Sequence, residues 1–146
     1  MAAHARYAYG SWQTVLSTEL NSLANNAMAL SAAITPDISV SITDVLYIEI
    51  GVDVSYGSAV SAGGVISCWF IDQVDGSYVD GDASTQPPEN PVQVLLRAVS
   101  GAQRRKVRSG APPGTFKLLA KNDNTGQSMA ASNNTIKVRF STLKQN

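Results

Sequence analysis

The chain has 146 residues, of which 44% are hydrophobic and only 15% are charged, and its formal net charge is zero. Its length fits one domain with a single core, and its hydrophobic content excludes a disordered protein. Typical soluble domains carry about 25% charged residues. A surface this poor in charge favours self-association, so we expect a homo-oligomer.

The sequence lacks the residues that several kinds of site require. One cysteine, Cys68, and one histidine, His4, exclude an internal disulfide and a histidine-rich zinc site. A serine triad would have to use His4, and Cys68 lies in an apolar segment that disfavours a thiolate. The aspartates from Asp72 to Asp82 lack the ligand spacing of an EF-hand calcium loop. We therefore predict no enzymatic activity, no metal and no cofactor.

The N-terminus has no apolar segment of the kind that forms a signal peptide. No stretch approaches the roughly 18 apolar residues that a membrane span needs. We expect a soluble protein that is made in the cytoplasm without export and has no membrane partner.

Residues 1–36 are predicted to form a short helix and an extended arm. The apolar residues here recur at alternating steps of four and three, which is a helical spacing. They are Leu16, Leu20, Leu23, Ala27, Leu30 and Ile34. We predict a helix from about Thr14 to Ala24, with Asn25 as a left-handed C-cap, and an arm that reaches Pro36. A helix that packs on its own domain remains the alternative.

The start of this segment carries clustered aromatic residues, which suit an anchor that inserts into a partner's pocket. The segment from Tyr7 to Ile34 is therefore predicted to be a principal contact. The candidate interface residues are Tyr7, Tyr9, Trp12, Leu16, Leu20 and Leu23.

Residues 37–146 are predicted to form a β-sandwich or jelly-roll-like domain. Apolar and polar residues alternate in Val45–Ser55, Phe116–Lys121 and Ile136–Phe140, as in half-buried strands, and turn clusters separate the segments. Val65–Ile71 and much of Val92–Ala98 are apolar on both faces and are predicted to be central or covered on both sides. The predicted core contains Ile48, Ile50, Val52, Trp69, Leu96, Phe116, Leu118, Ile136 and Val138.

The two signs of charge are separated along the chain. Ten of the eleven acidic residues precede position 97, and ten of the eleven basic residues lie at or after it. Glu49 and Asp53 are predicted to lie across from, or diagonal to, a basic residue of the C-terminal strands, within one subunit or between two. The candidate basic partners are Lys117, Lys121, Lys137 and Arg139.

The basic run Arg104-Arg105-Lys106-Val107-Arg108 is the one feature that suggests nucleic acid. No recognition helix, aromatic ribonucleoprotein motif or basic arm accompanies it, and the whole chain is neutral. We therefore do not expect a nucleic-acid partner.

Ordered motifs run from Tyr9 to Phe140. They are Tyr9-Gly10-Ser11-Trp12, Leu16 through Asn25, Asp75-Gly76-Ser77-Tyr78 with Asp80-Gly81, Gly101-Ala102-Gln103-Arg104, Pro112 through Lys117, and Ala131 through Thr135. Together they resemble small virion proteins of tailed bacteriophages, of the head decoration (cement) type.

This resemblance implies a β-sandwich or jelly-roll module, often trimeric, that sits over junctions of the major capsid protein lattice. It implies no catalytic residues and a location on the capsid surface of the virion. Two other functions stay open on the residues alone, namely a tail or baseplate component with carbohydrate-binding ability and a nucleic-acid-binding protein.

Overall fold

The computed structural model describes residues 5–36, 46–78 and 80–145, which form two antiparallel β-sheets packed as a sandwich. The strands are β1 (Ala5–Tyr9), β2 (Gln13–Leu16), β3 (Met28–Leu30), β4 (Leu46–Tyr56), β5 (Val65–Val74), β6 (Ser77–Tyr78), β7 (Val92–Leu95), β8 (Gly101–Gly110), β9 (Phe116–Asp123) and β10 (Thr135–Gln145). Within these residues the helical structure is a single 3₁₀ turn, Thr18–Leu20. No described helix is long and apolar enough to cross a membrane.

The strand order joins residues that are far apart in the sequence. In the first sheet, β1 and β2 both pair with one edge of β10, and β4 and β8 follow on its other side. In the second sheet, the order is β3, β9 and β5, with β6 and β7 sharing the far edge of β5. From β2 onward the chain changes sheet at every connection except those among β5, β6 and β7.

The main core lies between the sheets and is built by the alternating strands. The predicted strand Val45–Ser55 corresponds to β4, and it pairs with the basic strand β10, as predicted; Val45 itself lies outside the described residues. Of the nine predicted core residues, eight are buried, and Leu96 is half-buried against the core. Trp69 is buried on the opposite face of its sheet from the main core.

A smaller cluster of Trp69, Ile71 and Leu119 covers the outer face of the second sheet. The loop before β7 closes over it, because the Trp69 indole Nε1 donates to the Glu89 carbonyl at 2.8 Å. The two-sided apolar pattern of Val65–Ile71 therefore belongs to a strand that is covered on both faces, as predicted.

The predicted N-terminal helix is wrong. Instead of a helix from Thr14 to Ala24 there are strand β2, the 3₁₀ turn and further turns, in which Asn26 rather than Asn25 has a positive φ, of 65°. The segment is rich in Ser, Thr and Asn, which have a weak intrinsic preference for helix, and pairing with β10 satisfies an edge that would otherwise stay open.

Residues 5–36 are built into both sheets rather than held apart as an arm. β1 and β2 extend the first sheet and β3 extends the second. Leu16, Leu20 and Ile34 are buried in the main core with exposures of 1%, 0% and 4%. Leu16 and Leu20 have the spacing of a helical stripe, yet Leu16 reaches the core from strand β2 and Leu20 from the 3₁₀ turn. The boundary at residue 36 does not separate two structural units in the described residues.

A buried amide joins this segment to β9. Asn122 donates from Nδ2 to the carbonyls of Leu23 (2.9 Å) and Gln127 (2.8 Å), and its Oδ1 accepts from the hydroxyls of Tyr56 (2.9 Å) and Thr125 (2.8 Å). All four hydrogen-bonding positions of a fully buried amide are satisfied, so the network fixes the path of the chain around residue 23.

Candidate functional site: the outer face of the first sheet

The outer face of the first sheet carries charged and aromatic side chains. Along β4 the residues Ile48, Ile50 and Val52 point into the core, so the alternate positions face outward. We call this surface the aromatic–cationic face. It comprises Tyr7, Tyr9, Trp12, Tyr47, Glu49, Gly51, Asp53, Arg104, Lys106, Arg108, Lys137 and Arg139.

Glu49 lies at the centre of this face and is 1% exposed. Its direct cross-strand partners are Arg139 on β10 and Arg108 on β8. Arg139 Nε donates to Oε2, while Arg108 Nη2 (3.0 Å) and Lys106 Nζ (3.2 Å) contact Oε1. Burial alone would raise the pKa of Glu49, but the hydrogen bonds from the three cations outweigh it and hold the pKa below its ordinary value.

The aromatic rings pack on the two guanidinium groups and help to cover Glu49. The Arg108 guanidinium carbon lies 4.4 Å from the ring centre of Tyr7, and Arg108 Nη2 donates to the Tyr9 hydroxyl at 3.1 Å. The Arg139 guanidinium carbon lies 4.3 Å from the ring centre of Tyr9 and 4.7 Å from that of Trp12. Cation–π contacts of this kind hold the rings in place, yet Tyr7, Tyr9 and Trp12 remain 43%, 47% and 40% exposed.

Trp12 reaches over the sheet because the edge strand is interrupted between β1 and β2. Its ring lies against Gly51, where an added Cβ atom would come within 3.2 Å of two ring carbons. A glycine at this position of β4 therefore provides the room for the indole.

A groove of about 440 Å³ runs beside the indole, and we call it the Trp12 groove. Its lining includes Trp12, Gly51, Asp53, Arg104, Lys106, Thr135 and Lys137. Arg104 Nε contacts the Asp53 carboxylate at 2.8 Å, and Lys106 contacts Glu49. Lys137, by contrast, has no carboxylate at ion-pair distance among the residues that the structure describes. The groove thus has an aromatic wall, one carboxylate acceptor and an uncompensated ammonium group.

The structure brings together only some of the predicted charge partners. Arg139 lies directly across from Glu49, and Lys137 lies diagonal to Asp53. Lys117 and Lys121 lie on the second sheet, where Lys121 contacts Asp123 at 3.1 Å and Lys117 lies over the ring of Tyr78 at 4.3 Å.

The partners that sequence reasoning missed are Arg104, Lys106 and Arg108, on β8. These three cations occur at every second position, so in a strand all three lie on the same face. This alternation within the basic run is the sequence signal that could have identified them. In the structure these cations contact Glu49 and Asp53.

The predicted interface residues divide into two groups. Tyr7, Tyr9 and Trp12 are exposed on the aromatic–cationic face. Leu16 and Leu20 are buried in the core, so the expectation that these two contact a partner is corrected. Their place in the protein's own core follows from the pairing of β2 with β10. Leu23 is half-buried against the core, and its contact with a partner stays a prediction.

A second cleft is lined by acidic groups that include Asp72, Asp80 and Glu89. Burial, and to a lesser degree the charge of Asp80, raise the pKa of Asp72. Within residues 5–36, 46–78 and 80–145, no group of three or more His, Cys, Asp or Glu side chains is arranged to hold a metal ion. Burial raises the pKa of the Cys68 thiol to about 12, so the thiolate is disfavoured at neutral pH.

No protein-family model matches the chain, and no curated protein matches it in sequence. The solved structures similar to it include the C-terminal CBM6 of LamC, a marine laminarinase from Zobellia galactanivorans. That match has 16% identity and a TM-score of 0.30, and it covers 94% of this chain and 98% of the other. A likeness this weak supports no functional inference.

Proposed function

We propose that this chain is a structural virion protein that decorates the capsid of a tailed bacteriophage and binds over the major capsid protein lattice through the aromatic–cationic face. The observation that carries the proposal is the cluster of exposed Tyr7, Tyr9 and Trp12 with Arg108 and Arg139. Tyr, Trp and Arg are the residues that contribute most of the binding energy in protein–protein interfaces.

The rigidity of this face supports a role in tight binding. Its rings stack on guanidinium groups that are themselves fixed to the buried Glu49 carboxylate. Side chains that are already ordered lose little conformational entropy when a partner docks.

We also propose that the fold is a jelly roll. Apart from the short strands β1 and β6, the two sheets have the orders β2-β10-β4-β8 and β3-β9-β5-β7 with connections that cross between them, which supports a jelly roll of two four-stranded sheets. The resemblance to head decoration proteins implies this architecture. Among the motifs that carry the resemblance, Tyr9-Gly10-Ser11-Trp12 supplies two rings of the aromatic–cationic face.

The proposed working form is a homo-oligomer, with a trimer as the expected state. Besides the low charge content, Leu95 and Val99 are 69% and 47% exposed near the corner between β7 and β8. Two exposed apolar side chains at the edge of the sandwich suit a contact between subunits.

The capsid proposal is tested with virions of the phage that encodes the chain. Purified protein is added to particles stripped of it, and bound protein is measured by sedimentation and quantitative mass spectrometry. Replacement of both Tyr7 and Tyr9 by Ala is expected to weaken binding by about 30-fold or more. Lys117→Ala, on the other sheet, is the control and is expected to bind normally. Equal binding by the double variant, or absence of the chain from virions, would contradict the proposal.

A second candidate function is carbohydrate binding by a tail or baseplate component. The Trp12 groove favours it, because an exposed indole beside polar groups is suited to a sugar ring. Neither function uses a catalytic residue, a metal or a cofactor.

A further inference from the structure

We propose that the Trp12 groove binds an acidic sugar, a pyranose ring that bears a carboxylate, such as a uronic or sialic acid residue. This inference gives the second candidate function its ligand class, and it does not depend on capsid binding.

The size of the groove fits one or two sugar rings. Its volume of about 440 Å³ lies within the range of small-molecule pockets, about 300–1,000 Å³. Its floor includes Gly51, which has no side chain to fill the space.

Trp12 provides the apolar part of the site. Its side chain lines the groove and is 40% exposed. The contact with Gly51 and the guanidinium of Arg139 hold the ring in one orientation. The C–H face of a pyranose is apolar and flat enough to pack on such a ring, whereas a flexible acidic peptide offers no rigid apolar face.

The polar groups of the groove match hydroxyl groups. The Asp53 carboxylate can accept hydrogen bonds from hydroxyls, and Thr135 and Arg104 also line the groove. A DNA phosphodiester has no hydroxyl to donate to the Asp53 carboxylate, whereas a sugar ring has several. The presence of Asp53 therefore favours a sugar over a DNA backbone.

Charge selects an acidic sugar over a neutral one. Asp53 pairs with Arg104, whereas Lys106 shares the single negative charge of Glu49 with Arg108 and Arg139, so the cations here outnumber the carboxylates. Arg105 and Lys137 also line the groove, and neither has a carboxylate at ion-pair distance among the described residues. Lys137 lies on the outer face of β10, whereas Arg105 occupies an inward-facing position of β8. We assign Lys137 as the residue that contacts the sugar carboxylate, by a charge-assisted hydrogen bond.

The intrinsic fluorescence of the full chain provides a direct readout. The protein has two tryptophans, of which Trp12 lines the groove and Trp69 is 4% exposed on the other sheet. Trp69→Phe leaves Trp12 as the single reporter. The probes are a trigalacturonate and 3′-sialyllactose, with lactose and maltotriose as neutral controls, and a thymidine oligonucleotide and a poly-glutamate peptide as other anions. Affinities are measured in parallel by calorimetry on the unmodified chain.

The expected result is that one acidic saccharide shifts the Trp12 emission and binds at least tenfold more tightly than the neutral sugars. Lys137→Ala is expected to lower the acidic sugar's affinity about tenfold, to that of its neutral counterpart. The matched control Lys117→Ala removes the same charge from the other sheet and is expected to change nothing. Trp12→Ala is expected to abolish binding, and Trp12→Phe to restore part of it.

Three results would overturn the inference. They are the absence of binding by either acidic saccharide at millimolar concentration, equal affinity for neutral and acidic sugars, and tighter binding of the oligonucleotide or the peptide. Tight binding of neutral sugars alone would leave the second candidate function standing while this inference fails. Capsid binding by Lys137→Ala is measured separately, so that loss of sugar binding is not mistaken for loss of particle binding.

Discussion

Replacement of Glu49 by Gln tests whether the ion cluster organises the aromatic–cationic face. The substitution keeps the shape of the side chain and removes the charge that Arg139, Arg108 and Lys106 share. Removing one partner from a buried ion pair costs about 3–5 kcal/mol. Here the cations' side chains are 21%, 32% and 52% exposed and regain water. We therefore expect a loss of about 2–3 kcal/mol in the free energy of unfolding.

Thermal unfolding followed by circular dichroism, at one protein concentration and pH 7, measures this loss. For a chain of this length, it corresponds to a fall of about 5–10 °C in Tm. Asp53→Asn is the matched control, because it makes the same change on the same face of β4. Asp53 and Arg104 have side chains that are 37% and 83% exposed, so this pair is expected to contribute about 1 kcal/mol or less. Equal losses for the two variants would refute the reasoning, as would a more stable Glu49→Gln protein.

The pH dependence gives a second readout of the same cluster. The pKa of Glu49 is lower in the folded protein than its ordinary value of 4.5. Its contribution to stability is therefore complete above that value and is lost as the pH falls through the folded-state pKa. The parent protein is expected to lose more stability than Glu49→Gln between pH 5 and the onset of acid unfolding. Parallel stability curves for the two proteins would contradict the assignment.

The remaining predictions concern three buried side chains. Leu20→Ala is expected to reduce the free energy of unfolding by about 3 kcal/mol in urea melts, because the side chain is part of the core; a loss below about 1 kcal/mol would indicate that residues 5–36 pack loosely. Asn122→Ala is expected to cost a similar amount, about 3 kcal/mol, since it leaves the groups it bonds unpaired, and hydrogen exchange of the amides near residue 23 is expected to accelerate. The Cys68 thiol is expected to resist a thiol reagent at pH 8 until the protein is unfolded, and rapid labelling of the native state would contradict its burial.

The long central strands could be predicted from the sequence because one or both of their faces must be buried. In β4, β9 and β10, alternation marks the inward residues, and in β5 an apolar run marks a strand covered on both sides. The same signal is misleading in Val92–Ala98, because its strand β7 lies at the edge of the second sheet and leaves Leu95 69% exposed, so the prediction of a central or covered strand is wrong there. Another edge strand lacks the signal altogether. In β8, the inward-facing positions include Gln103 and Arg105, so its basic run has no apolar alternation to identify it.

The N-terminal segment was mispredicted because spacing does not define backbone conformation. Leu16 and Leu20 are four residues apart, as on one face of a helix, yet a strand followed by a 3₁₀ turn also directs both into the core. The segment pairs with an edge of β10 that the rest of the first sheet leaves open. That opening depends on the order of all the strands, so no local sequence pattern predicts it.

The candidate site could be predicted only in part, for the same reason. Alternation placed Glu49 and Asp53 on the outer face of β4 and Lys137 and Arg139 on that of β10. The second neighbour of β4 is β8, which a crossing connection brings from another part of the chain. The positions of the β8 cations, and the side of the Trp12 groove that these residues form, depend on that pairing.

The most direct test of the proposed function is a cryo-electron microscopy reconstruction of virions of the phage that encodes this chain. We predict density for the sandwich over the junctions of the major capsid protein, as a trimer, with Tyr7, Tyr9 and Arg108 at the contact. Density for the chain at the tail or baseplate, or on the capsid with the aromatic–cationic face turned to solvent, would contradict the account.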